Sequence, residues 1–325
     1  MTQPVLVVVD HQGGRPTQPS TEVLTAARGL ADEVIAVWLG PPPQTAALDM
    51  LGRYGTASVY VPALDGLAPE VTPVAVEAVR AVISAVSPQA VLMVSSFAGK
   101  ELAGGLAVAL GSGAIVDATG VQRDGDGVIS ASKTAFAATW DTRCTVTSGL
   151  PVIAVQATAV EATPVATPVG VVQHEIAVDF SARARAVRLV ERTEHPRTGE
   201  VPLAEAQTVV VGGRGTGGDF TAVEELAELL GGAVGATRDV TDEGWREHSA
   251  QVGQTGVTVA PRLYIGLGVS GAVHHTVGMQ AAQTIVAVNN DSEAPLFEIA
   301  DFGVVGDLED VVPQAIEALR EHRES

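Results

Sequence analysis

The sequence has 325 residues, a formal net charge of −19 and one cysteine, Cys144. The charge disfavours a nucleic-acid partner, because phosphates would be repelled and no Lys/Arg stripe offsets the repulsion. The single cysteine excludes an internal disulfide and a multi-cysteine metal site. No apolar run approaches the roughly 20 residues of a membrane helix, so we expect no membrane insertion. The single cysteine also indicates a cytoplasmic location, and the length of the chain suits two domains.

The first half of the chain alternates Val-rich apolar runs with helix-like segments. The pattern predicts strands at Val5–Val9 and in EVIAVWLG, ASVYVPA and AVLMVSS. It predicts helices at 20–31, with Ser20 or Thr21 as N-cap, at 45–52 and 73–86, and in KELAGGLAVALG, which Gly111 closes. Apolar strands separated by helices indicate a parallel sheet covered on both faces.

Residues 114–190 differ in character. Gly125-Asp126-Gly127 is a turn signal, and the flanking runs are strand-like without clear helices, which predicts an antiparallel extension of the first sheet. The polar segment 191–201 contains Pro196 and Gly199 and is the best linker candidate. The sequence thus predicts a first domain at 1–195, a linker at 196–202 and a second domain at 203–325.

Beyond the linker the alternation restarts. Strands are predicted at 208–211, 233–236, 262–266 and 284–288, and helices at 220–230, 271–280 and 308–320. This pattern predicts a smaller α/β domain with a mostly parallel sheet and helices on both faces.

The sharpest local motif is Gly266-Leu-Gly268-Val-Ser-Gly271, which follows a predicted strand and opens a predicted helix. Asp291 lies about 20 residues further on, as in the dinucleotide-binding fingerprint. The competing interpretation is a turn whose glycines only permit close packing. The motif does not distinguish NAD from FAD.

Three other glycine-rich segments, VVGGRG, GATR and QVGQTG, could place an Arg, an amide and a hydroxyl beside a planar cofactor. No nucleophile–base pair is evident, which favours a cofactor carrier over a hydrolase or transferase. Adjacent residues on a helix point in different directions, so His274 and His275 cannot easily bind one metal ion, and we predict no metal site. Because no nucleophile–base pair is evident, we also predict no catalytic residue.

The C-terminal third carries a family resemblance. QVGQTG followed by RLYIGLGVSGAVHHTVGMQAAQ and DFGVVGDLEDVV, with VVGGRG and AVGATRDV before them, resembles the FAD-binding region of electron transfer flavoprotein α subunits. The match covers about 209–319, and the first half resembles the family in architecture alone. The resemblance implies that the second domain is a Rossmann-like FAD-binding domain.

Residues that match the family's motifs are expected to contact FAD. Here Thr237 stands where Ser is usual, and His274 stands where Gln is usual. The expected contacts are Arg214, Thr237, Arg238, Val252, Gly253, Gln254, Thr255, Gly268, Ser270, Gly271, Ala272, Val273, His275, Asn289, Asp307 and Leu308.

The resemblance also implies roles for these side chains. A flavin that takes up one electron at a time needs positive charge and hydrogen-bond donors beside it, and Arg238 is the expected charge. Thr255 would donate toward flavin N5 and His275 toward the N1/C2 edge. Ser270 and Gly271 would cradle phosphate at a helix N-terminus, and Asn289 and Asp307 would hold the adenosine side.

The implied function is that of an electron carrier without its own small-molecule substrate. The family's α subunit forms a heterodimer with a β subunit, which usually binds AMP and which the first domain would contact. Electrons would come from dehydrogenases, such as acyl-CoA dehydrogenases of fatty acid β-oxidation, and pass to an acceptor such as a quinone oxidoreductase.

Two alternatives stay open. An NAD(P)-dependent oxidoreductase would use the Gly266–Gly271 motif and Asp291, but it needs an acid/base that we cannot name. A nucleotide-binding regulatory module without a redox role would leave VVGGRG, GATR and QVGQTG unexplained.

Overall fold

The computed structural model describes residues 3–136, 139–192 and 201–324. By its internal contacts the chain divides into two units, Met1–Thr134 with Asp141–His195, and Ala135–Trp140 with Pro196–Ser325. The predicted linker at 196–202 falls mainly on residues outside the described ranges. The predicted domain bounds therefore stay a prediction.

Up to Ala186 the chain alternates strands and helices much as its sequence predicts. The elements are β1 Val5–Val9, β2 His11–Gln12, β3 Arg15–Pro16, α1 Gln18–Arg28, β4 Val34–Trp38, α2 Thr45–Arg53, β5 Thr56–Pro62, α3 Thr72–Val86, β6 Ala90–Val94, α4 Phe97–Leu110, β7 Ala114–Ala118, β8 Gly120–Arg123, β9 Ile129–Ala135, β10 Trp140–Thr145, β11 Val152–Val155, β12 Val172–Ile176 and α5 Ala182–Ala186.

The large sheet of the first unit has the strand order β12-β5-β4-β1-β6-β11-β7. Its registered pairs are parallel, for example β1 with β4 and β1 with β6. Alternate side chains of β1 enter different cores: Val5 and Val7 pack in a core with α1 and α2, while Leu6 and Val8 pack in one with α3 and α4. The predicted parallel sheet with helices on both faces is confirmed.

The antiparallel strands form a sheet of their own, in the order β10-β9-β8, rather than an extension of the first sheet. Gly120 pairs with Ser132 in the antiparallel register of β8 and β9. β11 and β12, which were predicted as part of the antiparallel region, join the parallel sheet instead. The reason is burial in the case of β11, because all four of its residues are buried between β6 and β7.

The first helix begins earlier than predicted. Thr17, not Ser20 or Thr21, is the N-cap of α1, and its side chain accepts from the backbone N–H of Ser20. The Ser20 hydroxyl instead donates to the carbonyl oxygen of Asp10 over 2.9 Å, which ties α1 to the end of β1.

The second unit is a smaller parallel α/β structure with the strand order β14-β13-β15-β16-β17. The elements are β13 Thr208–Gly212, α6 Thr221–Leu230, β14 Ala233–Ala236, α7 Arg238–Asp242, β15 Leu263–Leu267, α8 Val273–Thr276, β16 Thr284–Asn289, β17 Phe302–Val305 and α9 Leu308–Glu324. Neither β17 nor α7 was predicted from the sequence, and both are short.

The two faces of the second sheet are covered differently. Apolar residues of α6 and α9, such as Leu226 and Ile316, pack on one face. The other face is covered by loop residues such as Val252 and Met279, and by Leu296 of the short 3-10 helix Pro295–Glu298. The helix predicted at 271–280 is only the single turn α8, so the helices on this face are shorter than predicted.

Two adjacent glycines of α4 provide a stability test. A Cβ added to Gly105 would lie 2.7 Å from Cγ2 of Val76, whereas a Cβ on Gly104 would meet nothing within 4 Å. We expect Gly104→Ala to raise the free energy of unfolding by about 0.5–1 kcal/mol through backbone entropy. Gly105→Ala should lower it by about 1–3 kcal/mol because the stiff Val76 side chain must shift.

The measurement is urea denaturation of the full chain, followed by circular dichroism, for both variants and the unchanged protein. Each variant is the matched control of the other, because both add one methyl group to the same helix. Equal changes for the two variants would contradict the packing described for α3 and α4.

Candidate functional site

A cavity of about 350 Å³ lies at the carboxyl ends of the strands of the second unit. β13 is flanked by β14 on one side and by β15 on the other. The chain runs from β13 to β14 and then crosses to β15, so its direction reverses between β13 and β15. Such a reversal leaves a crevice outside the strand ends, which is where open α/β sheets bind ligands.

The loops after β13 and β15 meet backbone to backbone at this crevice. The N–H of Gly213 donates to the carbonyl of Leu267 over 2.9 Å, and that of Gly215 to the carbonyl of Gly268 over 3.1 Å. A Cβ on Gly213 would lie 2.2 Å from the Gly268 oxygen. Gly268 has a φ of +62°, which favours glycine. Close packing therefore explains these glycines.

The predicted phosphate cradle at a helix N-terminus is not built as expected. The helix after the Gly266–Gly271 motif is the four-residue α8, and so short a helix has little macrodipole. A Cβ on Gly271 would lie 2.3 Å from the backbone nitrogen of Leu296, so this glycine also serves packing. Ser270 does line the cavity.

Most of the residues predicted to contact FAD meet at this one cavity. Gln254, Gly271 and Val273 belong to the same loops without lining the cavity, and Asp307 and Leu308 lie elsewhere. The predicted residues that line it are Arg214, Thr237, Arg238, Val252, Gly253, Thr255, Gly268, Ser270, Ala272, His275 and Asn289.

Asp307 and Leu308 line a second cavity of about 840 Å³ beside α6 and α9. Gly215 lines both cavities, so the two are neighbours. Its wall is acidic, with Arg320 as the one cation among its lining residues. The acidic side chains are Asp219, Glu225, Asp307, Glu309 and Glu317.

Two guanidinium groups make the first cavity suited to an anionic ligand. Arg214 and Arg238 both line it, together with the carboxylates Asp239 and Asp291. Nε of Arg238 lies 3.1 Å from Oδ2 of Asp242, and the Arg238 side chain is 62% exposed. Within the described residues we find no ion pair for Arg214. Guanidinium groups are good ligands for phosphate and for other delocalised anions.

The Thr237 hydroxyl is an unsatisfied polar group in the wall of this cavity. Its Oγ1 atom is buried and has no hydrogen-bond partner in the described structure. The backbone N–H of Thr237 donates to Gly212 over 3.1 Å, which fixes the residue at the rim. Buried hydroxyl groups are normally hydrogen-bonded, so a polar group of a bound cofactor fits here.

Gln251 is a functional candidate that the sequence analysis missed, although it opens the QVGQTG segment. Its buried amide accepts from the Thr241 hydroxyl over 3.0 Å and donates from Nε2 to the Thr255 hydroxyl over 2.8 Å. Because the Thr255 oxygen already accepts, its own O–H remains to donate to another acceptor. This arrangement suits the predicted role of Thr255 as a donor.

His275 is placed beside the cavity but has other partners than the resemblance implies. Nδ1 lies 3.0 Å from the Val252 carbonyl oxygen, and Nε2 lies 2.7 Å from the Tyr264 hydroxyl. A carbonyl oxygen only accepts, so Nδ1 carries the hydrogen and Nε2 accepts from Tyr264. Both ring nitrogens are thus engaged, and the predicted donation to the flavin edge is not available in this structure.

Further lining residues had no assigned role in the sequence analysis. His274 is held by Gln254, whose Oε1 lies 3.1 Å from its Nδ1. Asp291 was considered only for a nicotinamide cofactor, and Ala294 and Pro295 carry no local signal. The complete set is Gly215, Asp239, Gln251, Val269, His274, Asp291, Ala294 and Pro295.

The described residues contain neither a metal-ligand cluster nor a helix that could span a membrane. No group of three or more His, Cys, Asp or Glu side chains is arranged to hold a metal ion there. None of the helices in this part of the chain combines the length and apolar character needed to cross a lipid bilayer.

The fold and the cavity are typical of proteins that bind a nucleotide-type cofactor on a doubly wound α/β unit. The same chain carries another α/β unit. Family comparison matches residues 5–190 to the electron transfer flavoprotein domain and residues 202–280 to the electron transfer flavoprotein FAD-binding domain.

Full-length relatives agree. Electron transfer flavoprotein subunit alpha of Mycobacterium leprae is 42% identical over 97% of this chain and 98% of its own, and that of Mycobacterium tuberculosis is 43% identical with the same coverage. Protein FixB of Bradyrhizobium diazoefficiens is 32% identical over 97% of this chain and 88% of its own. The chain belongs to the electron transfer flavoprotein α-subunit family.

The family establishes FAD as the cofactor and electron transfer as the role of this chain. The predicted resemblance is confirmed, and the NAD(P)-dependent alternative is not favoured. FAD fits the residues present, because Arg214, Arg238 and Thr237 line one cavity, and the Thr237 hydroxyl has no hydrogen-bond partner in the described structure.

The buried His275 predicts a pH dependence of stability. Burial lowers its pKa to about 4, from about 6.5 when unfolded. Between these values the unfolded chain binds more protons, so the free energy of unfolding rises with pH and falls as pH drops from about 6.5 toward 4. The full effect is about 3 kcal/mol.

Urea unfolding at pH 4.5 to 7 would measure this contribution as the difference in slope between the unchanged chain and His275→Gln. His274→Gln is the control, because it removes an exposed neighbouring imidazole and should leave the slope unchanged. An identical pH dependence for the unchanged chain and His275→Gln would show that His275 titrates normally in the folded state.

Proposed function

We propose that FAD binds with its flavin and diphosphate at the first cavity, and with its adenosine toward the second. Arg214 and Arg238 supply positive charge at the first cavity. Asp307 lies in the second, where a carboxylate can accept hydrogen bonds from ribose hydroxyls or an adenine amino group. We propose that all the residues expected from the sequence to contact FAD do so.

The single observation that carries the proposal is the unpartnered hydroxyl of Thr237. It is buried at the rim of a cavity that two guanidinium groups also line. A buried hydroxyl without a partner costs stability, about 1–3 kcal/mol, unless a ligand satisfies it. A cofactor that carries phosphate and carbonyl oxygens would satisfy both the hydroxyl and the charges.

When bound, FAD supplies the redox chemistry, and the chain's residues set its environment. Arg238 lies where positive charge favours added electrons on a neighbouring flavin, and Thr255 has an O–H free to donate. The match to electron transfer flavoprotein α subunits supports our proposal of a carrier without its own small-molecule substrate.

Membership of an α-subunit family implies a β subunit as partner. We propose that this β subunit contacts the first domain, residues 1–195, and binds AMP. The donors would be dehydrogenases, such as acyl-CoA dehydrogenases, and the acceptor an oxidoreductase such as one that reduces quinone. The acidic chain with one cysteine is consistent with a cytoplasmic location.

The Thr237 hydroxyl gives a test in which stability and affinity respond differently. Thr237→Val removes a buried, unpartnered hydroxyl at constant shape, so the cofactor-free chain should be no less stable than before. Its affinity for FAD should fall about tenfold, which corresponds to about 1.4 kcal/mol. Thr237→Ser, which keeps the hydroxyl, should retain the affinity.

Fluorescence titration of FAD into the chain, with its β subunit present, gives the affinities, and thermal denaturation without FAD gives the stability. Unchanged FAD affinity in Thr237→Val would remove the observation on which the proposed placement of FAD rests.

The charge of Arg238 is tested by the reduction potential. Arg238→Ala should lower the one-electron potential of bound FAD, because reduction adds negative charge beside the missing guanidinium. A tenfold change in the equilibrium constant of reduction corresponds to about 59 mV. Because the Arg238 side chain is exposed and its charge is screened, we expect the potential to fall by no more than about 59 mV.

Anaerobic reductive titration of the heterodimer measures the potential. Arg80→Ala is the control, since it removes one positive charge from an exposed position on α3 of the first unit. If both variants had the same potential as the unchanged protein, Arg238 would not be the charge that faces the flavin.

A further inference from the structure

Tyr264 is a buried polar residue that none of the motifs singled out. It lies on β15 and is fully buried, as one of the largest completely enclosed side chains. Its hydroxyl lies 2.7 Å from Nε2 of His275, which is itself only 6% exposed. Burial raises the pKa of Tyr264, so the hydroxyl keeps its hydrogen and can donate.

The hydrogen bond from Tyr264 fixes the chemical form of the His275 ring. A neutral imidazole has one donor nitrogen and one acceptor nitrogen. With Nε2 accepting from Tyr264, the hydrogen must stay on Nδ1, where it meets the Val252 carbonyl oxygen at 3.0 Å. The hydrogen bond at one ring nitrogen therefore sets the protonation of the other, as is common for functional histidines.

These bonds join three segments that are distant in the sequence. Tyr264 belongs to β15, His275 to α8, and Val252 to the loop that carries Gly253 and Thr255 to the cavity. The same loop rests on α8 through the N–H of Gln254, which donates to the His274 carbonyl over 2.7 Å. The position of the cavity wall thus depends on the orientation of the His275 ring.

The fold makes room for this tyrosine. A Cβ on Gly266 would lie 2.7 Å from Cδ2 of Leu296, 3.1 Å from Cε1 of Tyr264 and 3.3 Å from the Tyr264 hydroxyl oxygen. Any side chain at Gly266 would press on the ring that supports His275. The first glycine of the Gly266–Gly271 motif therefore leaves room for the side chains of Leu296 and Tyr264.

We propose that Tyr264 is a positioning residue for the FAD site: it holds His275 as the Nδ1–H tautomer and thereby fixes the Val252–Thr255 loop against the cofactor. This rests on the proposed placement of FAD in the first cavity. Tyr264 touches no cavity surface itself, so it acts only through His275.

The charged and titratable groups around His275 do not replace Tyr264 as a hydrogen-bond partner of the His275 ring. None of them makes a hydrogen bond to the His275 ring in the described structure. His274 is its neighbour on α8, and His248 lies near Gln251, with Nδ1 3.4 Å from Oε1. The groups that share the cavity with it are Arg214, Arg238, Asp239, His274 and Asp291.

The test is a double-mutant cycle on the dissociation constant of FAD, measured with the full chain and its β subunit. Tyr264→Phe should raise this constant about tenfold, because one buried hydrogen bond is lost and Nε2 is left without a donor. In the His275→Gln background the same change should have less than about a twofold effect, because Tyr264 acts through His275. Tyr60→Phe, a half-buried tyrosine of β5 in the first unit, is the control and should leave the constant unchanged.

Equal effects of Tyr264→Phe in both backgrounds would mean a general packing role and would overturn the proposal. Nitrogen-15 NMR of the imidazoles, with His275→Gln to assign the signal, tests the pairing even if Tyr264→Phe does not fold. The unchanged chain should show His275 protonated at Nδ1 with or without FAD, and protonation at Nε2 would overturn the proposal. Weak FAD binding by the unchanged chain would instead count against the proposed placement of FAD.

Discussion

The site depends on one contact, the approach of two loop backbones at the carboxyl ends of β13 and β15. Gly213 and Gly215 lie on Gly268 so closely that a single methyl group on any of the three would force the loops apart. Because no side chain intervenes, the residues that follow each glycine reach the same cavity. Arg214 comes from one loop and Ser270 from the other. Separating the loops would therefore separate the ligands of the cofactor.

The same contact explains what the sequence could and could not predict. β13 and β14 were predictable as short, almost continuously buried apolar runs, and α6 was predictable from apolar residues at helical spacing, such as Val223, Leu226 and Ala227. The helix at 271–280 was predicted too long, since tertiary packing overrides propensity there: a Cβ on Gly278 would lie 2.4 Å from the Cα atom of Gly253. The glycine spacing alone could not separate close packing from phosphate binding.

The polar interior of the site was the least predictable part. The resemblance places Thr255 and His275 near the cofactor, but it cannot say which atom of each side chain is free. In the structure Gln251 occupies an acceptor position of Thr255, and Tyr264 occupies the acceptor nitrogen of His275. Buried polar groups must find partners, and those partners come from segments that no local pattern links. Direction of donation is therefore a property of the fold.

Charge acts at two ranges in this protein. The chain carries a net charge of −19, which would oppose an anionic cofactor if charge acted at long distance. Surface charges are screened beyond about 8–10 Å at physiological salt, whereas groups that line a cavity are screened much less. In the first cavity Arg214 and Arg238 offset the carboxylates Asp239 and Asp291, whereas the second cavity is lined mainly by carboxylates. In the proposed placement, an overall acidic chain holds the flavin beside two guanidinium groups, and the redox tuning of the flavin depends on a few side chains at the rim of the cavity.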